Sequence, residues 1–252
     1  MDVNPLLDLH GRVALVTGAS RGIGLATAQL LARCGAQVIV SSRRQDACAA
    51  AVQQIRAEGG KAMAIAAHMG DVASIDALFA QIAGHGLSID ILVNNAATNP
   101  YFGPMLDMDL AAFDKTVEVN IRGYFYASRT AALTMRGRGG AIVNVASVNG
   151  RRAAPGQGVY SMTKAAILSL TEGFAKELAT HKIRVNAVLP GAIDTPMLWE
   201  NPNVKSGVEW IDKTKVGKPE DIANAILFLA SDNAHFVQGA SLLADGGRLD
   251  QL

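Results

Sequence analysis

The sequence predicts an α/β fold: a doubly wound parallel sheet of about seven strands with helices on both faces (Rossmann fold), in a single domain over residues 1–252. Three observations predict it. Short apolar runs recur at 13–16, 38–40, 62–67, 89–93, 141–145, 183–189 and 241–244. They are continuous rather than alternating, the pattern of parallel strands covered on both faces. Longer Ala-rich segments of helical period separate them, at 24–33, 47–57, 109–135, 160–178 and 220–230, so strands and helices alternate along the chain. The first run also passes directly into a glycine-rich turn that opens a helix, the local order of a nucleotide-binding βαβ unit.

In chain order, the first strand ends at Thr17-Gly18 and the helix at 24–33 runs up to Gly35-Ala36, where glycine suits a left-handed C-cap before the second strand. The same Gly-Ala step, Gly140-Ala141, announces the fifth strand after the long segment 109–135. Residues 194–214 are rich in Pro, Asn and Trp and lie between the sixth strand and the helix at 220–230. A segment that long with weak periodicity is expected to be a lid over the substrate, or else an elaborated surface loop. No repeat, low-complexity tract or linker divides the chain.

Composition narrows the function. At 252 residues, 50% hydrophobic and 18% charged, the chain has apolar material for one large core. A net charge of +1 without a run of like charge argues against nucleic-acid binding by counterion release and against polybasic membrane attachment. The start lacks the basic-then-apolar order of a secretory signal, no apolar stretch approaches a membrane span, and the last residues, 248–252, carry no peroxisomal signal. Cys34 and Cys48 read as packed free thiols, and the five histidines are scattered without ligand spacing, so no metal site is expected. A reduced, cytoplasmic location fits these features.

The glycine turn is Thr17-Gly18-Ala19-Ser20-Arg21-Gly22-Ile23-Gly24. Its glycines let backbone N–H groups approach a pyrophosphate, and the helix N-terminus adds donors and a favourable dipole. At the end of the second strand, where an acidic residue would hold the ribose hydroxyls of NAD, the sequence has Ser41-Ser42-Arg43-Arg44. Arg43 and Arg21 can converge on a 2′-phosphate, which favours NADP(H) over NAD(H); two solvated surface arginines are the plainer reading.

Ser147 ends the fifth strand, and Tyr160-Ser161-Met162-Thr163-Lys164 opens the helix at 160–178. Tyr160 and Lys164, four apart, share a helical face. A nearby ammonium should lower a phenol's pKa and fit it for acid/base work, while Ser147 could hold a substrate oxygen. Alone, the pair also fits a packed tyrosine with a snorkelling lysine; the glycine turn and the serine in this order raise it to a catalytic set.

With these motifs the chain resembles the short-chain dehydrogenase/reductase family, in its branch of single-domain enzymes. The resemblance rests on TGASRGIG, Asp71-Val72, Asn94-Asn95-Ala96-Ala97, Asn120, Ser147, YSMTK, and Pro190-Gly191 with Thr195. It implies that Tyr160 exchanges the substrate proton, Ser147 orients the carbonyl, and Lys164 tunes Tyr160 and holds the nicotinamide ribose. Asn120 would anchor a water relay to Lys164. Asp71 and Val72 would flank the adenine, Asn95 and Ala96 would line the middle of the cofactor, and Ile193 and Thr195 would bind the carboxamide. Asp71 equally fits a helix N-cap, Asn95 a turn residue and Asn120 a helix residue bonded to nearby backbone.

The substrate pocket should form from residues after Ser147, from 97–102 and from 194–214, with Met197, Leu198, Trp199 and Trp210 as an apolar wall; core or subunit contact suits them equally. Without a convergent Arg or Lys, that wall points to a neutral ketone, alcohol or acyl substrate. The resemblance implies a carbonyl/alcohol oxidoreductase near 3-oxoacyl reductases and broad carbonyl reductases, and a homotetramer built on 109–135 and 160–178. An NAD-dependent alcohol dehydrogenase is the nearest alternative. A non-catalytic NADP(H) sensor would typically lack the Tyr or Lys, and an epimerase would need a larger C-terminal domain.

Overall fold

The computed structural model describes residues 7–207, 210–247 and 249. Residues 1–6, 248 and 250–252 of the expected domain, and 208–209 of the expected lid, lie outside the described residues.

Seven strands form one parallel sheet: β1 (Val13–Thr17), β2 (Gln37–Ser41), β3 (Lys61–Ala64), β4 (Ile91–Asn94), β5 (Gly140–Val145), β6 (Ile183–Pro190) and β7 (Ser241–Ala244), in spatial order β3-β2-β1-β4-β5-β6-β7. The register pairs Val13 with Gln37 and Ala14 with Ile91, which puts β1 between β2 and β4. The chain winds outward from β1 to β3, then crosses back to β4 and winds the other way. The topological switch point lies between β1 and β4, where the carboxyl ends of an open α/β sheet leave a crevice.

Alternate residues of each strand bury against opposite layers, as strand geometry requires. Ala14, Val16, Val38, Val40 and Val93 pack with α1 (Gly22–Arg33), α2 (Gln45–Ala57) and α9 (Pro219–Ala230). Val13, Leu15, Ile39, Leu92 and Ile142 pack with α3 (Val72–Gly84), α5 (Gly123–Met135) and α6 (Gly158–Leu178). Both faces are dry, so the strand sequences show no polar alternation.

Three local expectations need correction. The helix expected at 109–135 is interrupted: α4 (Leu110–Val117) and α5 are joined by one π turn, Glu118–Arg122. That turn holds Asn120, and single π turns gather at functional sites. The third strand stops at Ala64 rather than 67; beyond it Ile65 and Ala67 N–H still donate to the Val40 and Ser42 carbonyls (3.2 and 2.9 Å), while the Gln45 side chain bonds the Ala64 carbonyl (3.2 Å) and Ala66 N–H (2.9 Å) along the outer edge. The left-handed residue before β5 is Gly139 (φ +82°), while Gly140 is already in the strand.

The 194–214 segment carries two short helices, α7 (Pro196–Trp199) and α8 (Pro202–Lys205), each opened by a proline at its start. It crosses above the carboxyl end of β6. Cys34 and Cys48 are buried free thiols, as expected.

A buried polar chain ties the two central strands to the helices beneath the crevice. Asn94 Nδ2 donates to Ser128 Oγ and to Asn144 Oδ1, both at 2.9 Å, and Asn144 Nδ2 donates to Thr171 Oγ1 at 2.9 Å. Cutting such a chain leaves buried donors unpaired, which costs about 1–3 kcal/mol. Asn144→Ala is therefore expected to lower the unfolding free energy by that amount, read as a lower urea midpoint at an unchanged slope; a midpoint equal to the parent's would show that the chain adds nothing to stability.

Candidate active site

One large cavity, about 890 Å³, opens at the carboxyl ends of the strands, within the range of small-molecule sites. Gly18, Ser20, Arg21, Gly22 and Ile23 line it after β1, Ser42 and Arg43 after β2, and Asn95 and Ala96 after β4. Ser147 follows β5, Tyr160 and Lys164 come from α6, and Pro190, Gly191, Ile193 and Thr195 follow β6. Sixteen of the residues named from the sequence thus share a wall, although they come from six regions of the chain.

The glycine turn is shaped as a cradle. Gly18 and Gly22 have φ of +64° and +57°, and a Cβ on Gly18 would lie 2.8 Å from Ala96 Cα. Only glycine tolerates that conformation and that approach. Gly24 does not reach the cavity: its Cβ would meet the Gly18 carbonyl at 2.4 Å, so its place is close packing of α1 against the turn. Asn95 Nδ2 donates to the Thr17 and Gly18 carbonyls (2.9 and 3.2 Å) and fixes the turn from the β4 side. The N-terminus of α1 has no side-chain cap, so its first N–H groups are left for an anion. These features fit the diphosphate of a dinucleotide.

Arg21 is more than half exposed and lies 3.7 Å from Glu200 of the lid, an exposed pair worth little and easily exchanged for a phosphate. Arg43 is exposed at the cavity edge, whereas Arg44 turns away and pairs with Asp46. No Asp or Glu belongs to the described cavity wall.

Asp71 and Val72 do not line the cavity. The Asp71 side chain accepts from Ala73 N–H at 3.0 Å and caps α3, and the wall at that turn is made by Ala67, His68 and Met69. The Asp-Val step expected at the adenine thus serves as a helix cap, set back from the wall.

At the catalytic end, Ser147 lies two residues beyond β5 rather than in it, and its Oγ accepts from Asn149 N–H at 3.1 Å. Lys164 is 1% exposed; its Nζ donates to the Val145 carbonyl at 2.9 Å and lies 5.5 Å from the Tyr160 ring centre and 5.4 Å from that of Tyr124. Burial brings the Lys164 ammonium down to about 7 and pushes the Tyr160 phenol above its ordinary range. The expectation that Lys164 lowers the Tyr160 pKa is therefore not met. Desolvation outweighs attraction, and near neutral pH the lysine is only partly charged while the phenol keeps its proton.

Asn120 is fully buried and outside the cavity wall. Its amide accepts from Thr98 N–H (2.8 Å) and donates to the Thr98 carbonyl (2.9 Å) and to Thr163 Oγ1 (3.2 Å); Thr163 in turn donates to the Tyr160 carbonyl (2.7 Å). Asn120 thus clamps the loop after β4 to the first turn of α6.

On the substrate side, Met197, Leu198 and Trp210 line the cavity with Phe102, as the apolar wall requires. Trp199 does not: its indole N–H donates to Asp194 Oδ1 at 2.6 Å and Lys213 lies over its ring. Asn99 and Asn149 fall in the expected stretches, whereas Gln157, Lys115 and Arg152 were not named in advance, though all are on the wall. The wall thus holds an Arg and a Lys that the expected apolar wall lacked, since the direction of loop side chains cannot be read from spacing.

With this geometry established, comparison with known proteins is informative. A family model described as enoyl-(acyl carrier protein) reductase matches residues 18–248. The mouse dehydrogenase/reductase SDR family member 4 is 37% identical over 97% of this chain and 89% of its own length. A 3-oxoacyl-(acyl-carrier-protein) reductase of Synechocystis is 39% identical over 95% of this chain and 97% of its own. A solved structure from Beutenbergia cavernae, with NADP bound at low occupancy, superimposes with a TM-score of 0.88 at 31% identity, covering 97% of this chain and 99% of that one.

The buried lysine has a signature in stability. Its folded pKa, about 7, lies below that of the unfolded chain, so between roughly pH 7 and pH 10 the unfolded state binds the extra proton and stability rises with pH. Tyr160 acts in the opposite sense above pH ~10, where only the unfolded phenol ionises. Relative to Lys164→Met, the parent should gain stability from pH 7 to pH 10 by up to about 1.4 kcal/mol per pH unit. Parallel curves in urea unfolding would show that Lys164 titrates normally.

Proposed function

The chain belongs to the short-chain dehydrogenase/reductase family, oxidoreductases acting on CH–OH groups, and on that premise we propose that it interconverts a ketone or other carbonyl and a secondary alcohol with NADP(H), using Tyr160 as acid/base. The observation that carries this reading is the meeting of Ser147, Tyr160 and Lys164 with the glycine cradle in one cavity. The 3-oxoacyl reductase among its relatives supports carbonyl reduction, either of that kind or of broader range.

The nicotinamide, when bound, supplies or accepts the hydride. Ser147 already accepts from Asn149 N–H, so its own proton is left for the substrate oxygen and holds the carbonyl. Tyr160, kept protonated by burial, donates to that oxygen as it becomes an alkoxide, and accepts the proton in the reverse direction. Lys164 stabilises the phenolate as it forms, and its low pKa makes it a ready proton source for restoring the phenol. Asn120 acts as a positioning residue through Thr98 and Thr163.

The cradle of Gly18 and Gly22 and the free N–H groups of α1 would take the diphosphate, with Arg21 and Arg43 on a 2′-phosphate. Ser42, Asn95, Ala96, Pro190, Gly191, Ile193 and Thr195 would line the remaining length. A wall without a carboxylate and a neighbour holding NADP support the phosphorylated cofactor. We further place the protein in the cytoplasm, a setting that suits two buried free thiols. Among the described residues no helix is long and apolar enough to cross a membrane. A homotetramer through α5 and α6 is supported by exposed Phe125, Leu133 and Met162 on those helices.

Tyr160→Phe should leave NADPH binding near the parent's while lowering kcat for any accepted carbonyl by about 10²–10⁴-fold; full turnover would overturn the acid/base role of Tyr160. Arg43→Asp should move the NADPH/NADH ratio of kcat/KM toward NADH by about tenfold or more, the value of one charge-assisted contact. An unchanged ratio would make Arg43 a solvated bystander.

A further inference from the structure

The cavity wall contains five cations, Arg21, Arg43, Lys115, Arg152 and Lys164, and no carboxylate among the described residues. Lys164 serves the tyrosine, and Arg21 and Arg43 stand at the cradle and the end of β2. Arg152 is different, because it lines the cavity from the loop that carries Ser147, five residues beyond it.

Its neighbour Arg151 reaches the Ser241 carbonyl at 3.3 Å, whereas the Arg152 guanidinium makes no hydrogen bond or ion pair with any described residue. On the same cavity wall, the amides of Asn99 and Asn149 both donate to Gln157 Oε1 at 3.4 Å and form a polar patch. Phe102, Met197, Leu198 and Trp210 also line the cavity. The lining therefore combines a cation and amides with apolar side chains. A neutral ketone would leave the arginine fork without a use; a carboxylate matches its planar, two-pronged geometry.

We infer that Arg152 grips a carboxylate of the substrate, so that the reaction joins an oxo acid with an apolar chain to its hydroxy acid. This rests on the carbonyl/alcohol reading given above. In the reducing direction the carbonyl carbon gains hydride from reduced nicotinamide and is reduced, while the nicotinamide is oxidised. The C=O π pair moves to oxygen, which takes the Tyr160 proton. The carboxylate is neither made nor broken; it fixes which carbon meets the hydride.

The test uses the whole enzyme with NADPH and a set of oxohexanoic acids, with the keto group at successive chain positions, each against its methyl ester. In the parent enzyme at least one acid should exceed its ester in kcat/KM by about 10–100-fold, the worth of a charge-assisted pair. Arg152→Gln should collapse that acid/ester ratio toward one, and Arg152→Lys, which keeps the charge but loses the fork, should fall between. Equal kcat/KM for acid and ester throughout, or a ratio untouched in Arg152→Gln, would overturn the assignment while leaving carbonyl reduction intact. Failure to reduce any ketone, acid or ester would overturn the proposed activity and this inference with it.

Discussion

Lys164 sits at 1% exposure, and its ammonium is bonded to a single backbone carbonyl, that of Val145 at the last position of β5. The same carbonyl also accepts from the buried Tyr124 hydroxyl at 3.1 Å. A buried charge needs every available partner, and the surrounding fold supplies what it can. β5 ends at the point where its carbonyl is free of the ladder, α5 presents the Tyr124 ring and hydroxyl, and α6 delivers lysine and tyrosine on one face. Two aromatic rings within 5.5 Å of Nζ add cation–π attraction where hydrogen-bonding partners are few. The lysine still ends with a pKa of about 7, well below that of a solvated one, so the site keeps a destabilised charge rather than a comfortable one.

Under the proposed mechanism, that discomfort shapes the chemistry. A fully charged lysine would hold Tyr160 as phenolate, a strong base and a spent acid. With the ammonium weakened by desolvation, the phenol retains its proton and the pair can run in either direction, according to which partner the substrate oxygen needs. Proton exchange can then take place without a carboxylate in the cavity. The same wall is thereby left wholly cationic, which favours the phosphates of a dinucleotide and any anionic group on the substrate.

How much of this was legible in the sequence depended on whether an element speaks through its own residues. The strands did, because burial on both faces makes them largely apolar, and their parallel pairing followed from strand–helix alternation. Ser147, Tyr160, Lys164 and the glycine turn did also, since backbone sterics and helical spacing restrict their residue types. The π turn at 118–122 did not, because its cause lies in contacts rather than composition: a Cβ on Gly123 would fall 2.1 Å from the Met69 carbonyl, and Arg122 reaches across to the Gly70 carbonyl at 2.7 Å. His68 and Met69 were passed over for Asp71 and Val72, because one Asp-Val step serves equally as a helix cap and as a cofactor contact. Arg152 was invisible for a plainer reason: two adjacent arginines leave the loop in different directions, and nothing in their identity says which one faces the cavity.

The lid and the cradle meet through one residue. Arg21 is the N-cap of α1, where no side chain caps the helix, and its guanidinium extends to Glu200 just after α7. At 3.7 Å, with both side chains mostly exposed, the pair contributes at most about 1 kcal/mol. A cofactor phosphate offers the guanidinium a two-pronged partner beside a helix N-terminus, a stronger environment than a solvated carboxylate. Releasing Glu200 would therefore cost little compared with what the phosphate returns. Ties within the segment include Trp199 to Asp194 and Lys213 over Trp199, and the bridge between Ile193 and Gly217 anchors its base to the start of α9. If the segment serves as the proposed lid, Arg21 is where it touches the cofactor end.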